Sequence, residues 1–250
     1  MTLYYSVFFF IFGAVFGSFF NVVGLRLPKK EPFHDDRSYC PHCKTQLTGK
    51  ELIPIISYII QGGKCRTCKQ KISPLYPIVE LATALLFLYS FLHFNLRIEL
   101  ITAILLISLL MIVYVSDLTY MLIPNRLLLF FLPLFIIVRI YEPLSPWYDA
   151  IIGAFVGYGL IAIIIIVSKG GMGAGDMKLF GLLGIVLGWK LVLLTFFLSA
   201  LIGAIVGGFL MVTKKVKRKQ PIPFGPYIVI ATIISYFFGE HMVTFYVSLF

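Results

Sequence analysis

Charged residues are scarce in this chain of 250 residues. Asp, Glu, Lys and Arg make up 13% of it, whereas hydrophobic residues make up 60%, and the mean hydropathy is +0.97. Soluble domains contain about 45–50% apolar residues. Apolar runs such as 100–115 and 151–167 resemble membrane spans, which take about 20 residues each. The composition therefore excludes a soluble protein and predicts an integral membrane protein.

Basic residues are absent before the first apolar run, whereas Arg26, Lys29 and Lys30 follow it. A cleavable signal peptide begins with a basic region, so the first run is predicted to be a retained membrane span. Because basic residues favour the inner side of a membrane, the N-terminus is predicted to face outward.

The apolar runs predict an all-α, polytopic membrane fold of about eight transmembrane helices. The predicted spans are residues 3–25, 75–93, 98–116, 126–141, 149–168, 177–190, 191–212 and 225–248. Residues 177–212 are divided at Gly188, Trp189 and Lys190, because one helix of that length would measure about 54 Å. The inside loops are then 26–74, 117–125, 169–176 and 213–224.

The distribution of basic residues agrees with this topology. The loop 26–74 holds ten basic residues. The last inside loop holds Lys214, Lys215, Lys217, Arg218 and Lys219, whereas the outside loops hold Arg97, Arg139 and Lys190. Basic inner loops beside anionic lipid account for most of the net charge of +10. The charge is therefore no reason to predict nucleic-acid binding.

Cysteine is also scarce, and its four residues all lie in the loop 26–74. They form Cys40-Pro-His-Cys43 and Cys65-Arg-Thr-Cys68, two pairs with 21 residues between them. This spacing is typical of a closed, structural zinc site with four thiolates, in which His42 is surplus. Disulfides are the alternative, but the inner side of the membrane disfavours them, and the duplication argues against a single redox pair.

Two carboxylates are candidates for catalysis. Asp117 closes the third predicted span and Asp176 opens the sixth, so both lie at the inner face. A charged residue within a span costs about 2.5–3.5 kcal/mol and is usually functional. Gly173 and Gly175 precede Asp176 and leave room for a substrate backbone. Two close aspartates share a proton, as in aspartic proteases. The alternative is that each aspartate only caps a helix end.

Two further polar residues lie within predicted spans. Asn21 either bonds a neighbouring helix or lines a site. Glu80 is either a ligand for a substrate amine or a snorkelling acid paired with a lysine. The pairs Gly13/Gly17, Gly153/Gly157 and Gly203/Gly207 are predicted to be helix-packing faces.

The ordered set of motifs resembles the bacterial type IV prepilin peptidases. It comprises Gly-Ser-Phe-Phe-Asn-Val-Val at 17–23, Arg-Leu-Pro at 26–28, the two cysteine pairs, Ile-Ser-Pro-Leu-Tyr-Pro at 72–77 before Glu80, Asp117 before Ile-Pro-Asn at 123–125, Gly-x-Gly-Asp at 173–176, and Pro-Phe-Gly-Pro-Tyr at 223–227. Gly-x-Gly-Asp alone is a weak signal, but the whole set in this order is specific.

The resemblance implies an intramembrane aspartic protease in the cytoplasmic membrane, with Asp117 and Asp176 as its catalytic pair. Its substrates would be prepilins or pseudopilins, cleaved after a glycine at the cytosolic face. It also implies N-methylation of the new N-terminus by S-adenosylmethionine, for which the sequence shows no glycine-rich nucleotide fold. Residues 1–96 are predicted to form an N-terminal region with the zinc loop, and 97–250 the peptidase core.

Two other classes of function remain as alternatives. A transporter also uses paired membrane carboxylates, but near the midplane of an inverted repeat rather than at one face. A non-catalytic subunit of a secretion machine would tolerate the loss of both carboxyl groups. The sequence does not indicate the oligomeric state.

Overall fold

The computed structural model describes residues 2–31, 38–213 and 222–249, so the basic run at 214–219 lies outside the described part of the chain. Within these ranges the chain forms helices and no β-strand, apart from two isolated bridges, Tyr39–Gln46 and Lys64–Lys71. The helices are α1 (Thr2–Arg26), a 3-10 turn (Gly49–Leu52), α2 (Ile56–Ile60), α3 (Leu75–Phe94), α4 (Ile98–Tyr120), α5 (Asn125–Tyr141), α6 (Asp149–Val167), α7 (Ala174–Val212) and α8 (Gly225–Val247).

The predicted membrane spans correspond to these helices. Among the described residues, 6 helices, α1, α3, α4, α6, α7 and α8, are long and apolar enough to cross a membrane. The apolar helix α5 has 17 residues. Helix α4 continues to Tyr120, beyond the predicted end at residue 116. Asp117 therefore lies in the last turn of a helix rather than just after it.

Helix α7 is a hairpin of two helical arms, 174–187 and 189–212. Gly188 between them has φ 76° and ψ 174°, a backbone conformation that favours glycine. The ring centroids of Phe180 and Phe196 lie 6.1 Å apart, whereas 16 residues of straight helix would separate them by about 24 Å. The chain therefore folds back at Gly188. This confirms the predicted division into two helices and gives the all-α fold of about eight membrane helices.

The chain divides into two compact units, residues 1–115 and 116–250. In the first unit, α1 packs closely on α3, because a Cβ on Gly13 would lie 2.7 Å from Ala84 Cα and one on Gly17 would lie 2.7 Å from Glu80 Cα. In the second, α6 packs on α7, where a Cβ on Gly153 would overlap the backbone of Gly184. These glycines are helix-packing positions, as predicted.

Candidate functional site

Asp117 is held in the last turn of α4 and is 6% exposed. The Met121 N–H donates to the Asp117 carbonyl at 2.8 Å, and Met121 has a positive φ of 52°. The hydroxyl of Ser116 donates to the carbonyl of Leu122. These bonds end the helix and fold the next residues back towards Ser116, which fixes the backbone that carries Asp117.

The side chain of Asp117 meets the start of α8. The Gly225 N–H donates to Asp117 Oδ2 at 2.7 Å. A Cβ on Gly225 would lie 2.6 Å from that oxygen and 2.8 Å from Asp117 Cβ. Only glycine therefore allows the backbone of α8 to approach the carboxylate this closely. The first helical N–H groups have no partner within their own helix, which makes them available to such an acceptor.

Asp176 lies in the first turn of α7, as predicted, and is 8% exposed. Its Oδ2 accepts a hydrogen bond from the Gly173 N–H at 3.0 Å. A Cβ on Gly175 would lie 3.1 Å from Ile123 Cβ. Gly175 thus lets the start of α7 pack against the turn between α4 and α5. This is a different requirement from the room for a substrate backbone that the sequence suggested.

Asp117 and Asp176 both lie in the second unit. The two carboxyl groups are near enough for the charge of Asp117 to act on Asp176. Each accepts a backbone hydrogen bond at a helix start, so each also serves as a cap. A carboxylate has two oxygens and about four lone-pair sites, so capping leaves it capacity to accept further hydrogen bonds. The arrangement is therefore compatible with a pair that binds and activates water.

Gly225 and Lys178 make contacts near the aspartates that the sequence did not predict. Lys178 Nζ donates to Asn125 Oδ1 at 2.9 Å and so connects the start of α7 with the start of α5. Gly225 belongs to the Pro-Phe-Gly-Pro-Tyr motif at 223–227. The motif singled out Gly225 in the sequence, but its distance along the chain from Asp117 gave no indication that the two residues are in contact.

Asn21 and Glu80 lie in the first unit and are both buried. Asn21 Nδ2 donates to the Tyr76 carbonyl at 3.2 Å, which is the predicted bond to a neighbouring helix. Its Oδ1 is buried and has no hydrogen-bond partner among the described residues. Glu80 Oε2 accepts a hydrogen bond from the Ile55 N–H at 2.7 Å. The side chain of Ser18, on α1, is also near enough to act on the Glu80 carboxylate. Glu80 is thus a buried acid held by α1 and the cysteine loop, and not a snorkelling one.

The four cysteines form one cluster, with all Sγ atoms within 4.8 Å of one another. Cys40 Sγ lies 3.8 Å from Cys68 Sγ, and Cys43 Sγ lies 3.9 Å from Cys65 Sγ. Tetrahedral Zn–S bonds of about 2.3 Å place the sulfur atoms about 3.8 Å apart. The cluster can therefore hold a metal ion of that size. His42 is exposed and outside it.

The two cysteine pairs have the same backbone geometry. In the first, Lys44 N–H donates to the Cys40 carbonyl at 2.9 Å, and in the second Lys69 N–H donates to the Cys65 carbonyl at 3.0 Å. Both lysines have a φ of about 59°. A bridge closes each turn, Tyr39–Gln46 and Lys64–Lys71. This repeat brings the two Cys-x2-Cys turns together as a matched pair of knuckles.

The electrostatics of the cluster also suit a cation. The side chain and backbone of Thr45 lower the pKa of Cys43 to about 6, and backbone N–H groups of Cys68 and Thr67 lower the pKa of Cys65. The Gln70 backbone lowers the pKa of Cys68, but desolvation and the neighbouring cysteines outweigh it and raise the pKa to about 11. The thiolate of Cys68 is therefore disfavoured among its neighbours, and a bound cation would compensate its charge.

Comparison with known proteins covers both parts of the chain. Residues 11–94 match the model of the bacterial peptidase A24 N-terminal domain, and residues 104–208 match that of the type IV leader peptidase family. The prepilin leader peptidase/N-methyltransferase of Bacillus subtilis is 43% identical, over 96% of this chain and 97% of the relative. The chain belongs to the type IV leader peptidase family. No solved structure matches it.

Further relatives carry the same name. The Pseudomonas aeruginosa protein is 35% identical, and the match covers 95% of this chain and 92% of the relative. The Aeromonas salmonicida protein is 36% identical, and the match covers 98% of this chain and 94% of the relative. The family match at 104–208 contains both aspartates, and the N-terminal match at 11–94 contains Asn21, Glu80 and the four cysteines.

Proposed function

We propose that this chain is a membrane aspartic endopeptidase that removes the basic leader peptide from type IV prepilins or pseudopilins. It cleaves after a glycine at the cytosolic face of the cytoplasmic membrane and then N-methylates the new N-terminus. The observation that carries the peptidase function is that two buried carboxyl groups, Asp117 and Asp176, lie near each other although they are 59 residues apart in sequence. The names of the relatives support the substrate class and the second activity.

The pair of aspartates performs the hydrolysis. One carboxylate takes a proton from a water molecule as its oxygen attacks the scissile carbonyl, and the other, protonated, donates to the carbonyl oxygen. Collapse of the tetrahedral intermediate breaks the C–N bond, and the departing amine takes up a proton from the pair. The Gly225 N–H holds Asp117 in place, and the Gly173 N–H holds Asp176.

The proposed orientation follows from charge. The N-terminus faces outward, so the end of α4 and the start of α7, which carry the aspartates, face the cytosol. The inside loops are the ones rich in Lys and Arg, and such loops favour the cytosolic side of a membrane, where anionic lipid lies. The leader peptide is itself basic, so acidic groups recognise it, and Glu80 is a candidate.

The proposed metal in the cysteine cluster is zinc in a structural role. Four thiolates leave no open coordination position for substrate, which distinguishes the site from a catalytic one. The peptidase reaction uses the carboxyl groups alone. The ion holds Cys40, Cys43, Cys65 and Cys68 together in a loop too small to fold around a core of its own.

The proposed division of labour assigns methylation to residues 1–96 and proteolysis to residues 97–250. S-adenosylmethionine, when bound, supplies an electrophilic methyl group. The amine that accepts it must have lost its proton, from an α-amino pKa of about 7.7–8.0. Asn21, with its buried Oδ1, and Glu80 are the candidate polar groups of this region.

The test is co-expression with a prepilin, followed by mass spectrometry of the product's N-terminus. The expected product begins directly after the leader glycine and carries one added methyl group. A product that is cleaved but unmethylated, with S-adenosylmethionine present, would restrict the chain to peptidase function. An uncleaved prepilin, beside full cleavage by a known relative in the same host, would contradict the proposal.

A further inference from the structure

Residues 52–60, here called the apolar segment, expose large aliphatic side chains. Ile56 is 54% exposed, and Ile59 and Ile60 are each 70% exposed. The sequence contains no charged residue between Leu52 and Gly63. A loop surrounded by water gains nothing from three exposed isoleucines in five residues, so this patch indicates a contact surface.

A hydrogen bond attaches the apolar segment to a membrane helix. Glu80, whose Oε2 accepts from the Ile55 N–H at 2.7 Å, lies five residues after the start of α3, or about 8 Å along its axis. Ile55 has a φ of 62°, a conformation that β-branched residues rarely adopt. The bond to Glu80 holds it there. The segment therefore lies beside the first turns of α3 rather than out in solution.

The surface of α3 at this level is itself apolar and exposed. Ile78 and Leu81, the residues around Glu80, are 54% and 42% exposed. In a spanning helix such side chains face lipid. The exposed isoleucines of the apolar segment therefore lie at the depth where α3 enters the bilayer.

A basic pocket borders the apolar segment. Its volume is about 460 Å³, and its lining includes Tyr58, Lys64, Lys71 and Ser73. Both lysines are exposed, and Arg66 and Lys69 follow in the same knuckle. The only acidic residue from 49 to 74 is Glu51, and its carboxylate is bonded to Thr48. The charge of this pocket is complementary to an anionic headgroup.

We propose that the apolar segment and the basic pocket form one lipid-binding surface. Ile56, Ile59 and Ile60 enter the boundary between headgroups and acyl chains, and Lys64 and Lys71 bind the phosphate of an anionic phospholipid. This surface anchors the cysteine knuckles to the membrane, next to α3. The loop between the first two spans is therefore a membrane-associated element and not a free domain in the cytosol.

Depth-dependent fluorescence quenching tests the anchoring. Trp147 and Trp189 are first replaced by Phe, and a single Trp is then introduced as Ile59→Trp or Ile60→Trp. The purified chain is reconstituted into vesicles with bromine on the acyl chains near the headgroup. Burial of about 5–10 Å predicts at least about a twofold loss of fluorescence at both positions. Thr67→Trp, exposed in the second knuckle, is the matched control and should lose little.

The outcomes separate lipid from other occupants. Metal content equal to that of the parent shows that each variant is folded. Agreement between the variants at 59 and 60 shows that the quenching does not arise from a disturbance at one substituted position. Quenching no greater than at 67 would overturn the proposal. Blue-shifted emission without quenching by bromine would also overturn it, because it would mean that a second copy or another protein covers the segment.

The lysines are tested with the same reporter. Adding about one-third phosphatidylglycerol to brominated phosphatidylcholine vesicles should make the apolar segment insert more deeply into the bilayer. The quenching of a tryptophan at residue 59 should then increase. Lys64→Gln with Lys71→Gln should abolish that increase, whereas Lys50→Gln, a basic residue outside the pocket lining, should retain it. An increase that survives the double change would overturn the assignment of the pocket to a headgroup.

Discussion

At the residue scale, Asp117 and Asp176 each combine burial with a backbone hydrogen bond. A buried carboxylate is costly unless its oxygens have partners. Gly225 and Gly173 supply those partners through N–H groups at helix starts. Capping and catalysis are therefore compatible in these side chains, because the bonds that stabilise them also orient them. The two roles differ in what happens when the carboxylate is replaced by an amide.

Asp117→Asn and Asp176→Asn should each abolish prepilin cleavage. An amide retains size and polarity but cannot act as a base or share a proton, so each loss should be at least about 10³-fold in kcat/KM. The double variant should be little worse than either single one, because the residues act as a unit. Cleavage assays with purified protein and a synthetic prepilin check this.

Glu99→Gln is the control for that experiment, since Glu99 lies in the first turn of the same helix, α4. It is about 27 Å from Asp117 along the axis and should leave cleavage near normal. If the Asp176→Asn protein cleaved prepilin at a near-normal rate, the aspartic mechanism proposed for this chain would be wrong.

Gly225→Ala should impair cleavage through Asp117. The added Cβ would lie 2.6 Å from Asp117 Oδ2, so the carboxylate must move, and a displacement of about 1 Å can cost about 100-fold in rate. Gly159→Ala is the matched control, because a Cβ there would have no atom of the described part of the chain within 4 Å. The measurement is kcat for both variants at equal amounts of folded protein. Equal rates would show that the contact with Gly225 does not position Asp117.

At the scale of elements, two devices shape the chain: the cysteine knuckles and the α7 hairpin. The knuckles are small loops that repeat one backbone turn, and their sulfurs converge on a point. The hairpin turns at Gly188, whose φ of 76° suits glycine. Both devices depend on a few local residues with positive φ: Lys44 and Lys69 in the knuckles, and Gly188 in the hairpin.

Purified protein should contain one zinc ion per chain, lost on Cys43→Ser. His42→Ala, one residue away and exposed, should retain the metal, because His42 lies outside the cluster. Elemental analysis under reducing, chelator-free conditions measures both. Removal of the metal should disorder the loop and lower cleavage only indirectly. Substoichiometric zinc in the parent protein would contradict the assignment.

At the scale of the whole molecule, the chain has two compact units, 1–115 and 116–250, each with its own polar cluster. The first holds Asn21, Glu80 and the cysteines, and the second holds the aspartate pair. The boundary between these units lies within α4. The predicted functional division at residues 96 and 97 stays a prediction.

The eight-span topology predicts that both termini face outward. Alkaline phosphatase fused after Val247 should be active in a bacterial host, and green fluorescent protein at the same point should be dark. A truncation fused after Thr213 should give the opposite result, because that point lies on the inner side. Were α7 a single crossing, the chain would cross seven times and the fusion after Val247 would fluoresce.

Much of the fold follows from the sequence because hydropathy, charge and glycine are local signals. They predicted the spans, the break at Gly188 and the cysteine ligands of a metal site. Counting crossings, which requires no knowledge of packing, also predicted that Asp117 and Asp176 lie at one membrane face, and this stays a prediction. The resemblance then supplied the family, which the comparisons confirmed.

The contacts that complete each cluster were decided by the tertiary structure alone. Gly225 meets Asp117 across 108 residues of sequence, and Ile55 meets Glu80 across 25. In both cases the donor is a backbone N–H, a group that every residue except proline possesses, so residue type does not reveal it. The packing of helix starts and loops selects which N–H reaches which carboxylate, and that selection depends on the whole fold.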